Sequence, residues 1–317
     1  MNRSARIKKW INGGRAPPSS IQIQPSNNCN LKCQQCARNF EEIKGNKISD
    51  QRLLELIDEA GELGVKELEF TGRIGEPLTR DLEEAVKKVK ENSMKGNLLT
   101  NGTLLSETLI EALVKNKWDT IVFSVDAPNA DMQDSLRGVK GTFNKIVENI
   151  KYINRAKNRL SHEKPSLIFL TVLNNQNLRK LNEIVDLASE LNVDMVQVRP
   201  MIIHEEAQNE LDHLKIESYS ASELRKIFHN AEEYAEDKKV DLVFEHDIET
   251  LIEYYKRDYD RSSPKKYDDK DSKDLKEDYS DNVRNKEDMK CLLPFSEMVV
   301  FAEGTVTPCC VVHSSEP

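Results

Sequence analysis

The sequence predicts an α/β protein organised on a parallel β-sheet, and two observations predict it. Six segments rich in strand-forming residues alternate with segments of helical apolar spacing between residues 20 and 198. The strand-like segments end in turn or polar clusters such as Thr71-Gly72, Thr100-Asn101-Gly102 and Ser124-Val125-Asp126. Strict alternation requires parallel strands with helical crossovers, as an open doubly wound sheet or as a barrel. In either, ligands collect at the carboxyl ends of the strands.

Each element has a local reason. The chain opens on a basic arm, residues 1–18, with Arg3, Arg6, Lys8 and Lys9 followed by glycines and prolines. Residues 20–24 alternate Ile21 and Ile23 with polar neighbours and run into Pro25, a short strand leading to a loop. Ser49 caps a helix in which Leu53, Leu54, Ile57 and Ala60 share a face until Gly64 stops it. Strand 65–70 follows, then helix 79–92 with Leu82, Val86 and Val89 on one face, and strand 97–100. Helix 106–117, strand 120–125, helix 142–156, strand 166–173, helix 177–191 and strand 193–198 continue the alternation. Helix 221–237, strand 240–245 and helix 248–255 extend the domain, which runs over residues 19–255. Residues 256–290, dense in Asp, Lys, Ser and Tyr, read as a solvated, disordered linker or insertion.

Composition narrows the function. Hydrophobic residues make up 38% and charged residues 32%, and no apolar run approaches the roughly 18 residues needed to span a bilayer. The amino terminus has no secretory apolar core, so a soluble, cytoplasmic protein is expected. A net charge of -9 disfavours general nucleic-acid binding, which needs concentrated positive charge. Of six cysteines, three fall within residues 29–36 and three within residues 291–310. That clustering points to two metal sites rather than a disulfide framework.

Cys29, Cys33 and Cys36 lie in one loop beyond the first strand, separated by three and then two residues. Close spacing lets one loop wrap an iron–sulfur cubane and leave one iron open for substrate. Zinc completed by a distant histidine, or unligated core cysteines, are the alternatives on spacing alone. The spacing, after the first strand of a βα-repeat chain, resembles the signature of the radical S-adenosylmethionine (SAM) superfamily. That resemblance implies a partial (β/α)6 TIM-like barrel and a 4Fe–4S cluster held by Cys29, Cys33 and Cys36. It further implies SAM chelated at the open iron and cleaved to a 5′-deoxyadenosyl radical that abstracts hydrogen from a substrate. The residue before the third cysteine is usually aromatic in that family and near the adenine; here it is Gln35.

Later strand ends extend the likeness. Gly75-Glu76-Pro77 resembles the family motif that holds the SAM amino group, with Ile74 replacing the preceding glycine. Thr100-Asn101-Gly102 resembles a turn common in the family. Ser124 and Asp126 can offer a hydroxyl and a carboxylate to a ribose diol, and Arg137 can bind a carboxylate bidentately. The resemblance gives these positions the SAM ribose and carboxylate contacts. Arg199, Glu245 and His246 are candidates for the substrate end, or else paired surface charges.

Residues 291–317 carry Cys291, Cys309 and Cys310 around two short strands, 298–302 and 305–307, joined at Glu303-Gly304 as a hairpin. The spacing resembles the opening of the SPASM domain, which carries auxiliary iron–sulfur clusters in radical SAM enzymes; its later cysteines are absent, His313 is the remaining soft ligand, and a truncated domain is expected. The resemblance implies an enzyme acting on a peptide, or on a small precursor such as a tetrapyrrole, with an electron donor such as ferredoxin or flavodoxin. A non-catalytic zinc- or cluster-binding scaffold is the contrasting reading.

Overall fold

The computed structural model describes residues 16–40, 43–202, 210–216, 218–257 and 297–307, together with Lys9 and Asn12. Most of the basic arm, most of the charged segment 256–290, Cys291, Cys309, Cys310 and His313 lie outside the described residues.

Seven parallel strands stand side by side in chain order: β1 (Ser20–Ile23), β2 (Glu67–Phe70), β3 (Lys95–Thr100), β4 (Thr120–Ser124), β5 (Ser166–Leu173), β6 (Met195–Pro200) and β7 (Asp241–Phe244). A doubly wound sheet would reverse its order part-way, and this one does not. Crossovers that always step the same way, each right-handed, put the helices on one face and curl the sheet around the other. The fold is an unclosed, partial TIM-like barrel. Strands β8 (Glu297–Val300) and β9 (Val306–Thr307) form an antiparallel hairpin, as the Glu303-Gly304 turn predicts. The sequence did not reveal where β8 goes: it pairs in parallel with β1, Ile21 opposite Met298, and so extends the barrel's own sheet.

The main helices are α1 (Asp50–Glu62), α2 (Glu83–Glu91), α3 (Glu107–Lys115), α4 (Ala130–Arg137), α5 (Thr142–Leu160), α6 (Leu181–Glu190), α7 (Ala221–Lys238) and α8 (Ile248–Arg257). Ser49 caps α1 by accepting the Arg52 N–H at 3.2 Å, and Gly64 follows it with φ +79°. Two predicted helices start late. The 79–92 segment begins as a one-turn 3-10 helix, Pro77–Thr79, before α2, and the 177–191 segment as Leu178–Lys180 before α6. Helix α4 has little periodicity to announce it, because ADMQDSLR places only Met132 and Leu136 at apolar helical spacing. Its end signals were present: Asn129 Oδ1 accepts the Met132 N–H, and Gly138 follows with φ +69°.

Strand residues alternate from β1 to β4, whereas in β5 Phe169, Leu170 and Thr171 are all buried. Ile21, Leu68, Leu98, Ile121, Leu167 and Val196 are buried against the helices, while Gln22, Glu69, Asn97, Val122, Ile168 and Gln197 are half-buried on the concave face. Trp118, two residues before β4, is 0% exposed and stacks on Phe70 at the carboxyl end of β2 with ring centroids 6.0 Å apart. Burying such a ring contributes about 3 kcal/mol. Among the described residues no helix is long and apolar enough to cross a membrane.

Candidate functional site

The loop carrying Cys29, Cys33 and Cys36 lies across the carboxyl ends of the strands and is tied to each neighbouring turn. The Glu76 N–H donates to Asn28 O at 2.7 Å, and Arg38 Nη1 donates to Ile74 O at 3.0 Å and to Asn27 O. Asn101 Nδ2 donates to Asn30 Oδ1 at 3.0 Å, and Asn30 Nδ2 to Thr103 Oγ1 at 2.8 Å. The Lys32 and Gln34 N–H groups donate to Arg137 O and Leu136 O at 3.1 and 2.9 Å, the end of α4. The loop therefore plugs the mouth of the half-barrel and inherits its position from β2, β3 and α4 together.

All three thiols are free and half-buried. Burial pushes the Cys29 thiol up; the Leu31 N–H, 3.4 Å from its sulfur, opposes this, and the charges of Glu76, Cys33 and Cys36 add to it. Burial likewise pushes Cys36 up. Among the described residues no three His, Cys, Asp or Glu side chains converge on one point that a single ion could occupy. Three soft donors on one loop suit a cluster whose irons each take a separate cysteine.

The turn after β2 is cramped: a Cβ on Gly75 would lie 2.2 Å from Ser26 O, so only glycine lets this backbone pass beneath the cysteine loop. Glu76 is 2% exposed, and its carboxylate accepts Leu78 N–H at 3.1 Å, Thr100 Oγ1 at 2.6 Å and Asn101 N–H at 2.7 Å. Burial pushes this carboxyl up to about 7 against those donors and the charge of Arg137. Asn101 Oδ1 accepts the Thr103 N–H at 2.9 Å, closing the turn after β3.

Ser124 ends β4 half-buried. Asp126, two residues on, is 0% exposed and already engaged: Oδ1 accepts Val172 N–H at 2.9 Å, and Oδ2 accepts Gln35 Nε2 at 3.1 Å and lies 2.8 Å from Arg137 Nη2. Arg137 splits its fork between two partners, its Nη1 donating to Cys33 Sγ at 3.7 Å. Arg137 Nε and Gln35 Oε1 are buried without a hydrogen-bond partner, and Nη2 is off hydrogen-bond alignment with Asp126. Orphaned guanidinium donors beside three thiols fit an anionic ligand such as the carboxylate of an amino acid.

Four polar side chains here were not read from the sequence as site residues. Gln133 accepts the Asp126 N–H at 2.8 Å and donates to Ser124 O at 3.0 Å. Asn177 Nδ2 donates to Asp126 O at 3.0 Å, Asn174 accepts the Gln176 N–H, and Arg38 braces the cysteine loop. Only the Asn174-x-x-Asn177 spacing after a strand offered a turn signal. Over α4 and the loop, Leu136, Met201, Leu211 and Leu214 form a small separate apolar cluster with Phe40, and His213 Nε2 meets Gln34 Oε1 at 2.8 Å.

Arg199 and Glu245 pair at 3.4 Å at the ends of β6 and β7, both partly exposed, and His246 is exposed beside them; none touches the cysteine loop. A cavity of about 400 Å³ runs from Glu67, Lys95, Asp119 and Lys164 at the amino-terminal ends of the strands onto the concave face at Glu69, Asn97, Val122 and Ile168. There Asp119 is paired with Lys90 and Lys164, a structural arrangement at the stabilising end of such barrels.

Comparison with known proteins agrees with this geometry. The chain is 28% identical over 184 residues to PqqA peptide cyclase of Granulibacter bethesdensis, covering 57% of this chain and 47% of that protein. It is 29% identical over 176 residues to AdoMet-dependent heme synthase of Methanosarcina barkeri, covering 55% and 48%. The chain spans about half the length of these curated relatives. The structure of Streptococcus suis SuiB bound to S-adenosylmethionine superposes with a TM-score of 0.69 at 19% identity, over 98% of this chain and 65% of SuiB. SuiB has also been solved bound to its precursor peptide SuiA. The sequence pattern described as the radical SAM superfamily matches residues 23–188, more than half of the chain and the whole stretch from β1 through the plug to α6. On that match the chain belongs to the radical SAM superfamily, which implies an enzyme with SAM and a 4Fe–4S cluster.

Proposed function

We propose that Cys29, Cys33 and Cys36 hold the 4Fe–4S cluster and that the surrounding turns bind SAM, so that the enzyme modifies a peptide. When bound, the cluster supplies the electron that cleaves SAM to the 5′-deoxyadenosyl radical, which takes hydrogen from the substrate. The observation that carries this reading is the cysteine loop itself, with three thiols beside the buried donors of Arg137. Gly75 and Glu76 would receive the amino group, the first by close backbone approach and the second by closing the floor beneath it. Arg137 Nε and Nη2 would receive the carboxylate, and Ser124 would face the ribose, with Asp126 engaged chiefly in fixing Arg137. Thr100 and Asn101 orient Glu76 and the loop.

Peptide modification is supported by the likeness to PqqA peptide cyclase and to SuiB, a protein solved with a peptide. Cys291, Cys309 and Cys310 would ligate an auxiliary cluster, a reading supported by the β8–β9 hairpin that lies between them in sequence.

The test is anaerobic reconstitution with iron and sulfide, then SAM and dithionite with 5′-deoxyadenosine as readout. Cleavage that depends on Cys33 is expected; an intact cluster without cleavage would refute the radical reaction. Perdeuterated short peptides should pass deuterium into 5′-deoxyadenosine and tetrapyrroles should not; the reverse would move the substrate to the small-precursor class. Iron and sulfide retained by Cys33→Ala would report the auxiliary cluster.

A further inference from the structure

Arg137 closes α4 at 7% exposure, with its guanidinium in contact with two side chains of opposite consequence. Nη1 donates to Cys33 Sγ at 3.7 Å, and Nη2 lies 2.8 Å from Asp126 Oδ2. Neither charge can move to water. Asp126 is 0% exposed, its carboxylate is held by the Val172 N–H and Gln35 Nε2, and its backbone by Gln133 and Asn177. A fixed cation that also donates to a ligating sulfur favours the reduced, more negative cluster, and a fixed anion opposes it; both effects are large where water is excluded.

We infer that the Cys33–Arg137–Asp126 chain sets the reduction potential of the cluster, Arg137 raising it and Asp126 lowering it, with Gln35 fixing the carboxylate between them. This assigns Arg137 a positioning and tuning role toward the cluster apart from any contact with SAM, and it rests on the cluster ligation proposed above. Splitting the fork explains why Arg137 is not bidentate to Asp126: a bidentate pair would turn both N–H groups away from the sulfur.

The chemistry gives opposite signs for the two substitutions. In Arg137→Gln the donor to Cys33 is weakened and the cation lost, so the potential falls. In Asp126→Asn the cation remains without its counter-charge and the potential rises. In the variant the amide oxygen keeps the Val172 N–H and Gln35 Oε1, buried without a partner, can turn to accept the amide N–H, while Arg137 Nη2 loses its acceptor.

The experiment is an EPR-monitored redox titration of the full chain, reconstituted anaerobically and titrated without SAM, following the signal that Cys33→Ala abolishes. A more negative midpoint is expected for Arg137→Gln, a smaller negative shift for Arg137→Lys, and a positive shift for Asp126→Asn. Should Arg137→Gln fail to hold the cluster, Arg137→Lys and Asp126→Asn carry the same comparison of signs. Shifts of one sign in both positions, or unchanged midpoints with the cluster intact, overturn the inference and leave the cluster ligation standing. A parent protein that assembles no cluster at these cysteines overturns both.

Discussion

Glu76 Oε2 accepts the backbone N–H of Asn101 at 2.7 Å while Oε1 accepts the Thr100 hydroxyl at 2.6 Å, so one buried carboxylate joins the turn after β2 to the turn after β3. The same residue donates its N–H to Asn28 O in the cysteine loop. Three chain segments distant in sequence are thereby held at one point, and the half-barrel presents its loops as a unit. A site built this way depends on residues whose contacts are to backbone rather than to ligand.

Glu76 gives stability a pH dependence with a defined sign. Its folded-state value of about 7 lies above the ordinary 4.5, so between these values the native protein holds a proton that the unfolded chain has released. That contribution is complete below pH 4.5 and is lost as pH rises through 7, about 3 kcal/mol in all. Glu76→Gln cannot titrate. The difference in unfolding free energy between parent and variant, from denaturant titrations at several pH values, should narrow over this window and stay constant above it.

Gln133→Ala should separate binding from the cluster. The substitution leaves the Asp126 N–H and Ser124 O buried without partners, at a cost of about 2 to 4 kcal/mol for the two groups. Gln133 reaches the cysteine loop only through Asp126 and its partner Gln35, so the three thiols should keep their iron. Calorimetric titration with SAM should show weakened affinity in a protein of unchanged iron content; unaltered affinity would mean that the β4 end does not contact the ligand.

The fold was legible in the sequence where periodicity did the work and illegible where long-range pairing did. Ile21, Leu68 and Ile121 alternate as half-buried strands must, and Ser49 and Gly64 mark α1 by local chemistry. Nothing in β8 says that Met298 will sit opposite Ile21, since strand order depends on which edge remains free after six crossovers. The site divides in the same way. Cys29, Cys33 and Cys36 announce themselves by spacing, and the turns at Glu76 and Asn101 by turn residues at strand ends. Gln133 and Arg38 act by reaching backbone groups across a loop or in another turn, with no spacing of their own. The division of Arg137 between a sulfur and a carboxylate is likewise a property of packing, because the sequence places Cys33 and Asp126 far from it.

Gly138→Ala should strike the cysteine loop through the backbone. Gly138 has φ +69°, and a Cβ there would lie 2.2 Å from Lys32 O, one residue before Cys33. The left-handed conformation alone costs about 1 to 2 kcal/mol in a residue with a side chain, and relieving the overlap must displace the loop. The melting temperature should fall, and iron bound per folded chain should fall with it; full iron retention would show that the loop adapts without α4.

Gly96→Ala is the complementary case at the other end of the same strands. A Cβ on Gly96 would lie 2.3 Å from the Trp118 ring, whose indole is fully buried and stacked on Phe70. Overpacking of this kind costs about 1 to 3 kcal/mol, since the ring must shift within a close-packed core. Gly96 lies near the amino end of β3, whereas Thr100, which holds Glu76, closes the carboxyl end of the same strand. Trp118 stacks on Phe70, the residue before the turn that follows β2, and the displacement should be absorbed by the ring and the helices packed on it before it reaches that turn. Circular dichroism melts should show a drop comparable to that of Gly138→Ala, while iron content and SAM affinity per folded chain stay at parent values. A parallel loss of iron would mean that strain at the base of the sheet reaches the mouth, and that the two ends of the half-barrel are mechanically coupled.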